Sequence, residues 1–286
     1  MGHWDELNVE LVPGQPGRYR ATLSDVWRLT VALQGGVAAA VGVRAMHAVL
    51  DDPSQTLRTA TTVFAAPVTA GPVEVDVTTV RRGRTMSQLA ATVRNVDATA
   101  GLTIVAAFGA ARQGFAFTEL TPPDVPPPDN LPSFRDPLPE GIDFEWDHDP
   151  FPFWEQVMQS RPAIGRTPWE PWDERPAEVA NWYRFDEPPL VDSGALDVAG
   201  VLVMGDTMPG SIGQKVPPVD SPWFAPSVDY TVHVLGDAHP DWLLAHMRAR
   251  HAGDGYASID AALWDMHAQP RLVAYATQLC LFSFGG

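Results

Sequence analysis

Residues 86–96, MSQLAATVRNV, are echoed 171 positions later by ASIDAALWDMH at 257–267. After a one-residue gap, LTIVAAFGAA at 102–111 lies against LVAYATQLCL at 272–281. These segments are rich in β-branched and apolar residues between short turns, which reads as strands. A long-period echo of this kind means two copies of one supersecondary unit. Two such copies predict a pseudo-symmetric pair whose sheets join edge to edge.

The grammar around the echo agrees. In the first copy, GRYRATLSDVW (17–27) alternates like a strand, and the run LTVALQGGVAAAVGVRAMHAVLDD (29–52) then reads as a helix, set at 33–50. Strands follow at 57–71, 72–83, 84–97 and 102–112. In the second copy, NWYRFDE (181–187) is a strand and ALDVAGVLVMGD (195–206) a helix. Strands follow at 223–236, 240–253, 255–267 and 271–282. Each copy is thus a strand, a helix and a meander of four strands. The first helix is small on nearly every side, with Gly35, Gly36, Ala38, Ala39, Ala40, Gly42 and Ala45. A curved sheet can wrap close around such a helix, although an ordinary alanine-rich core helix reads the same way.

Between the copies the composition changes. Residues 121–182 hold 14 of the 28 prolines, five of the ten tryptophans and 13 acids against four bases. Proline at this density opposes regular ladders and helices. Disordered linkers usually lack tryptophan, so the segment reads as a strap packed on the surface, with a short helix in PFWEQVMQS (152–160). The expected organisation is an N-terminal unit at 1–113, a Pro/Trp-rich strap at 114–182 and a C-terminal unit at 183–286.

Charge and composition exclude several functions. The net charge is −16, from 35 acids and 19 bases, which argues against nucleic acids or anionic membranes as bulk partners. An anionic ligand needs a local basic pocket, and RRGRT (Arg81, Arg82, Arg84) is the densest basic patch. The patch fits phosphate contacts or a solvated strand end. One cysteine, Cys280, allows no internal disulfide. The N-terminus MGHWDELNVE lacks the features of a signal peptide, and Glu6 sits where a myristoylation signal wants Ser or Thr. The longest apolar stretch is too short to span a bilayer. A cytoplasmic protein without membrane insertion is expected. No P-loop, dinucleotide fingerprint or GxSxG elbow occurs. His246 and His251 are five apart and share no face, DHD at 147–149 has no partner cluster, and no metal is expected.

The segments LQGGVAAA, VFAAPV and RRGRTMSQLAATVRN in the first half, with MGDTMPG, PSVDYTV and LVAYATQ in the second, resemble the type II (TesB-like) acyl-CoA thioesterases. That resemblance covers both halves but not the strap in detail. It implies an α+β double hotdog: two tandem units, each an antiparallel sheet wrapped around a central helix. It also implies hydrolysis of acyl-CoA thioesters to a carboxylic acid and CoA, without a cofactor. In that family an Asp, a Thr or Ser, and a Gln of the second half hold the hydrolytic water, and the matching positions are Asp206, Ser227 and Gln278. A thioester carbonyl with a good leaving group needs a positioned water, a base and oxyanion donors, but no covalent nucleophile.

Other readings of these residues stay open. Asp206 in GDTMPG also fits an Asx turn or a helix end. Asp229 would share a strand face with Ser227 and is a substitute acid. Phe108 takes the place of Gln278 in the first copy, and no acid lies between Asp25 and Asp51, so one active site per chain is expected. Two departures touch CoA binding. HVLGDAHP stands where many members have His-Arg-Pro, and AGDGYAS stands where they tend to carry Arg-Gly. The alternative function is a non-catalytic acyl-thioester or lipid-binding protein on the same fold. A hotdog hydratase is disfavoured because GVLVMGDTM has no His. Paired hotdog sheets often associate further, so a homodimer or larger homo-oligomer is expected.

Overall fold

The structure is a computed structural model describing residues 2–29, 31–138, 140–144, 151–217 and 223–284; the DHD at 147–149 lies outside the described residues. The elements run β1 (Glu10–Leu11), β2 (Arg18–Leu23), α1 (Gly35–Leu50), β3 (Thr56–Phe64), β4 (Gly71–Arg81), β5 (Met86–Asn95) and β6 (Leu102–Gly109). After the strap come α2 (Pro152–Gln156), β7 (Met158–Ile164), β8 (Glu178–Phe185), α3 (Val198–Gly205), β9 (Trp223–Phe224), β10 (Ser227–Val234), β11 (Leu243–Gly253), β12 (Tyr256–Asp265), β13 (Arg271–Leu281) and β14 (Ser283–Phe284).

Twelve strands form one antiparallel sheet in the order β1-β2-β4-β5-β6-β3-β10-β13-β12-β11-β8-β7. The order within each half is the same, and the halves meet where β3 pairs with β10, from Asp229 opposite Val63 to His233 opposite Thr59. The sequence echo is therefore a structural repeat: β5 corresponds to β12 and β6 to β13. The architecture is the double hotdog that the resemblance implies, with the helices on the inner, apolar face of the sheet.

The structure corrects several details. Asp25–Trp27 form a 3-10 turn rather than the end of a strand. In each copy the first strand after the helix does not continue into its neighbour: β3 crosses to pair with β6, and β10 with β13. The meander thus has three strands, with the fourth inserted at the junction. The second helix spans only Val198–Gly205, half the length of α1. Within the segment read as a strap, residues 158–164 form a strand at the sheet edge, opposite β8. Pro162 is tolerated there because an edge strand has one unpaired side, and the ladder slips between Pro162 and Ile164.

The strap has a packing role. The outer face of the second half carries Ala180, Trp182, Leu244, Ala262 and Trp264, covered by Val125 and Leu131. The Trp182 indole N–H donates to the Pro126 carbonyl at 2.9 Å. Arg135 bridges the Trp154 carbonyl and Asp186. Burying each of these large side chains stabilises the fold by roughly 1.5–3 kcal/mol.

The helices α1 and α3 touch directly, and glycine sets their approach. A Cβ on Gly36 would stand 2.6 Å from the Leu202 carbonyl oxygen and 2.9 Å from the Val203 Cα. Helices packed through a methyl-bearing residue would have to separate. Gly36→Ala is expected to destabilise the protein by about 1–3 kcal/mol, the usual cost of overpacking. The urea midpoint reads this, and an unchanged midpoint would mean that the helices do not meet so closely.

Candidate active site

Three segments far apart in sequence converge where α1 begins. Gln34 caps α1: its side-chain oxygen accepts the Val37 N–H at 3.0 Å. Its amide nitrogen donates to the carbonyls of Val203 (3.0 Å) and Asp206 (2.9 Å). One buried glutamine thus closes the start of the first helix and the end of the second, leaving no polar atom of its amide idle.

Asp206 follows α3 and lies against the first turn of α1. The Gly36 N–H donates to its Oδ2 at 2.8 Å. A Cβ on Gly35 would stand 2.7 Å from the same oxygen and 2.8 Å from the Phe64 ring. The carboxylate therefore faces the positive end of one helix while sitting at the negative end of its own. On its other side the Gln278 amide nitrogen donates to Asp206 Oδ1 at 2.6 Å and to Ser227 Oγ at 2.5 Å. Asp206, Ser227 and Gln278 form one connected group.

Burial governs the electrostatics. Asp206 is 6% exposed, and desolvation pushes its carboxyl pKa up to about 7 from the usual 3.8, against the opposing pull of the Gly36, Gln278 and Gly35 hydrogen bonds. The Tyr230 hydroxyl donates to the Leu202 carbonyl at 3.0 Å; burial, and then the Asp206 charge, raise its pKa well above 10.0. Burial likewise pushes the Cys280 thiol up to about 12, so it stays protonated at neutral pH.

Asp206 and Ser227 line a cavity of about 850 Å³ between the two halves. Its walls come from the loop before α1, from Phe64–Val68, from β7 and β8, and from the strap residues Phe134 and Trp154. Gln278 is 2% exposed and stands behind the wall. Its amide nitrogen ties the other two side chains together from there. Its Oε1 is buried without a hydrogen-bond partner among the described residues.

Other candidates lie elsewhere. Asp229 is set off from Ser227 by a bulge, and its Oδ1 accepts the Leu279 N–H at 2.8 Å. The bulge breaks the shared face expected of residues two apart, so Asp229 closes a ladder. Arg81, Arg82 and Arg84 are exposed on the β4–β5 hairpin. That hairpin docks through the Gly83 carbonyl, which accepts from Gln55, just beyond the C-terminal end of α1. Asp206 sits at the other end of this 16-residue helix, which is about 24 Å long. The arginines and the triad are not brought together within the chain. In the first half, Phe108 is fully buried with its ring 4.7 Å from His47, whose pKa is lowered by burial.

Sequence reading missed the first half's share of the site. Gln34, Gly35 and Gly36 belong to a helix start, and the adjacent glycines ahead of an alanine run were the available signal. The contact to Asp206 spans 170 positions and has no signature in either segment.

Comparison with known proteins follows the same division into halves. The acyl-CoA thioesterase C-terminal domain family matches residues 123–282, more than half of the chain, and the N-terminal domain family matches residues 23–110. The chain belongs to the acyl-CoA thioesterase family. Among solved structures, a conserved hot dog fold protein of unknown function from Alicyclobacillus acidocaldarius is similar at TM-score 0.75 and 25% identity, over 99% of this chain and 97% of its own. The acyl-CoA thioesterase II TesB2 of Mycobacterium marinum is similar at TM-score 0.72 and 19% identity, over 100% and 99%. The tesB protein of Mycobacterium avium subs paratuberculosis gives 0.72 and 18%, over 99% and 98%. At such identities the last two likenesses establish the double hotdog fold alone. No curated protein matches the sequence. Among the described residues, no helix of this thioesterase-family chain is long and apolar enough to cross a membrane.

The charge on Asp206 makes stability depend on pH. Between about pH 4 and 7 the folded protein keeps a proton that the unfolded chain has released, so this group's contribution falls as pH rises through that window. A shift from 3.8 to about 7 corresponds to roughly 4 kcal/mol at full ionisation. Asp206→Asn removes the charge and keeps the shape; the Gln278 amide can turn its unpaired oxygen toward the new N–H. The variant should melt higher than wild type at pH 8, with a smaller advantage at pH 5. A variant that melts lower at both pH values would contradict the buried-charge account.

Proposed function

We propose that this chain hydrolyses acyl-CoA thioesters to a carboxylic acid and CoA, with Asp206 as the base, Ser227 as its partner on the cavity wall and Gln278 as the positioning residue. The observation that carries the reading is the shared amide: Gln278 binds both side chains that face the cavity, and one of them is a carboxylate poised near neutral pH. A base works best when its pKa lies near the operating pH.

The step balances without a covalent enzyme intermediate. A water oxygen attacks the thioester carbonyl while Asp206 takes one of its protons. The tetrahedral intermediate collapses, the C–S bond breaks, and the sulfur leaves as a thiolate that recovers the proton. Ser227 accepts from Gln278, so its own proton is available to the water or the carbonyl oxygen. The first-half counterpart, with Phe108, lacks this chemistry, which supports one active site per chain. The exposed arginine hairpin lies past the far end of α1 from Asp206, so Arg81, Arg82 and Arg84 could meet only the distal phosphates of an extended CoA.

Hydrolysis of a straight-chain acyl-CoA, followed by thiol release, tests the reading. kcat/KM should rise with pH through a single step near 7 and then level. Asp206→Asn should lower kcat by about 10²–10⁴-fold, the usual worth of a positioned proton transfer. Ser227→Ala should cost less. Binding of acyl-CoA with no turnover by wild type would favour the non-catalytic alternative.

Association into a dimer or larger homo-oligomer is part of the same reading. Residues 111–121 are all exposed, including Phe115 and Phe117, and burial of such aromatic groups favours a partner surface. Light scattering should then give a mass of at least twice the 31.1 kDa of one chain; a mass of one chain at micromolar concentration would contradict it.

A further inference from the structure

The cavity beside Asp206 is lined chiefly by apolar groups such as Leu33, Phe64, Val68 and Val179, and the smaller polar part of its wall is almost uncharged. Its mouth is marked by the exposed Val31 and Phe224, whereas Ser160 and Gln214 are buried. Ser160 lies opposite Tyr183 in the β7–β8 ladder, and Asn181 sits two residues before Tyr183. The Asn181 amide donates to the Tyr183 hydroxyl at 3.0 Å, and that hydroxyl also bonds Thr207, next to Asp206. The Gln214 side-chain oxygen accepts the Arg166 N–H at 2.7 Å. This leaves the Ser160 hydroxyl, the Asn181 carbonyl oxygen and the Gln214 amide nitrogen without protein partners among the described residues, all three side chains lining the cavity.

Buried polar groups left unpaired are costly, so a site that holds them discriminates against a ligand that cannot pair them. A plain alkyl chain would fit the apolar lining, but where it crosses these three groups it would strip their water and return no hydrogen bond. An anionic end group fares no better. Arg166 is the one cation lining the cavity among the described residues, and its guanidinium already donates to the carbonyls of Asp173 and Gly213. The one lining anion is Asp206 itself.

We propose that the preferred acyl group carries a neutral oxygen, a hydroxyl or keto group, remote from the thioester, and that Ser160, Asn181 and Gln214 recognise it. This rests on the thioesterase reading and names its substrate class. The chemistry supports it in both directions: the wall offers a hydroxyl and an amide nitrogen as donors and an amide oxygen as acceptor.

The test compares kcat/KM of the purified full-length protein for decanoyl-CoA, ω-hydroxydecanoyl-CoA, a mid-chain ketodecanoyl-CoA and the ω-carboxy analogue. At least one neutral oxygenated substrate should exceed decanoyl-CoA by tenfold or more. Ser160→Ala combined with Asn181→Leu should bring that ratio toward one. Decanoyl-CoA turning over as well as both oxygenated chains, or the ω-carboxy chain turning over best, would overturn the proposal while leaving thioester hydrolysis intact. A preference that survives the double substitution would also overturn it. Hydrolysis of none of the four would instead sink the thioesterase reading, and this inference with it.

Discussion

Everything in this molecule turns on one carboxylate placed where a carboxylate is expensive. Asp206 sits at the end of α3, whose dipole disfavours negative charge, and it is held there by the first turn of α1 and by Gln278. These contacts do not cancel the cost of burial, and the residual shift to about 7 leaves the carboxyl titrating near neutral pH. The glycines at 35 and 36 are the structural condition. A methyl group at either position would meet Asp206, Phe64 or the backbone of α3, so the close helix crossing and the site are the same constraint.

Duplication explains how a cavity arises beside it. Two copies with the same strand order join through β3 and β10, and their helices meet across the junction. Exact symmetry would give two equivalent carboxylate groups. Divergence leaves this one in the second copy: its helix is short and ends in Asp206, while α1 runs on for 16 residues. Gln278 faces Ser227 and Asp206, whereas Phe108 packs on His47. Because Gln34 and Gly36 belong to the first copy, neither half holds the carboxylate alone. The strap completes the enclosure by lending Phe134 and Trp154 to the cavity wall.

The repeat and most strands were legible in the sequence because alternation and turn residues are local signals. The crossing of β3 past β4 and β5 was not, since strand order depends on contacts between distant segments. Nor was the edge strand at 158–164, hidden by Pro162, which an edge tolerates and a central strand would not. Asp206, Ser227 and Gln278 were named through a family resemblance, and the structure places them within hydrogen-bonding distance of one amide. The role of Gln34, Gly35 and Gly36 could not be read because nothing local ties a helix start to a residue 170 positions away. The arginine patch was conspicuous by composition, and only the length of α1 showed how far it stands from the carboxylate.

The most direct test is the titration of Asp206 itself. In protein labelled with carbon-13 at the aspartate carboxyl, the resonance that Asp206→Asn removes can be followed by NMR from pH 4 to 9. A midpoint near 7 is the result the account requires. A midpoint near 4 would mean a solvated carboxylate, and the buried base would then have to be abandoned.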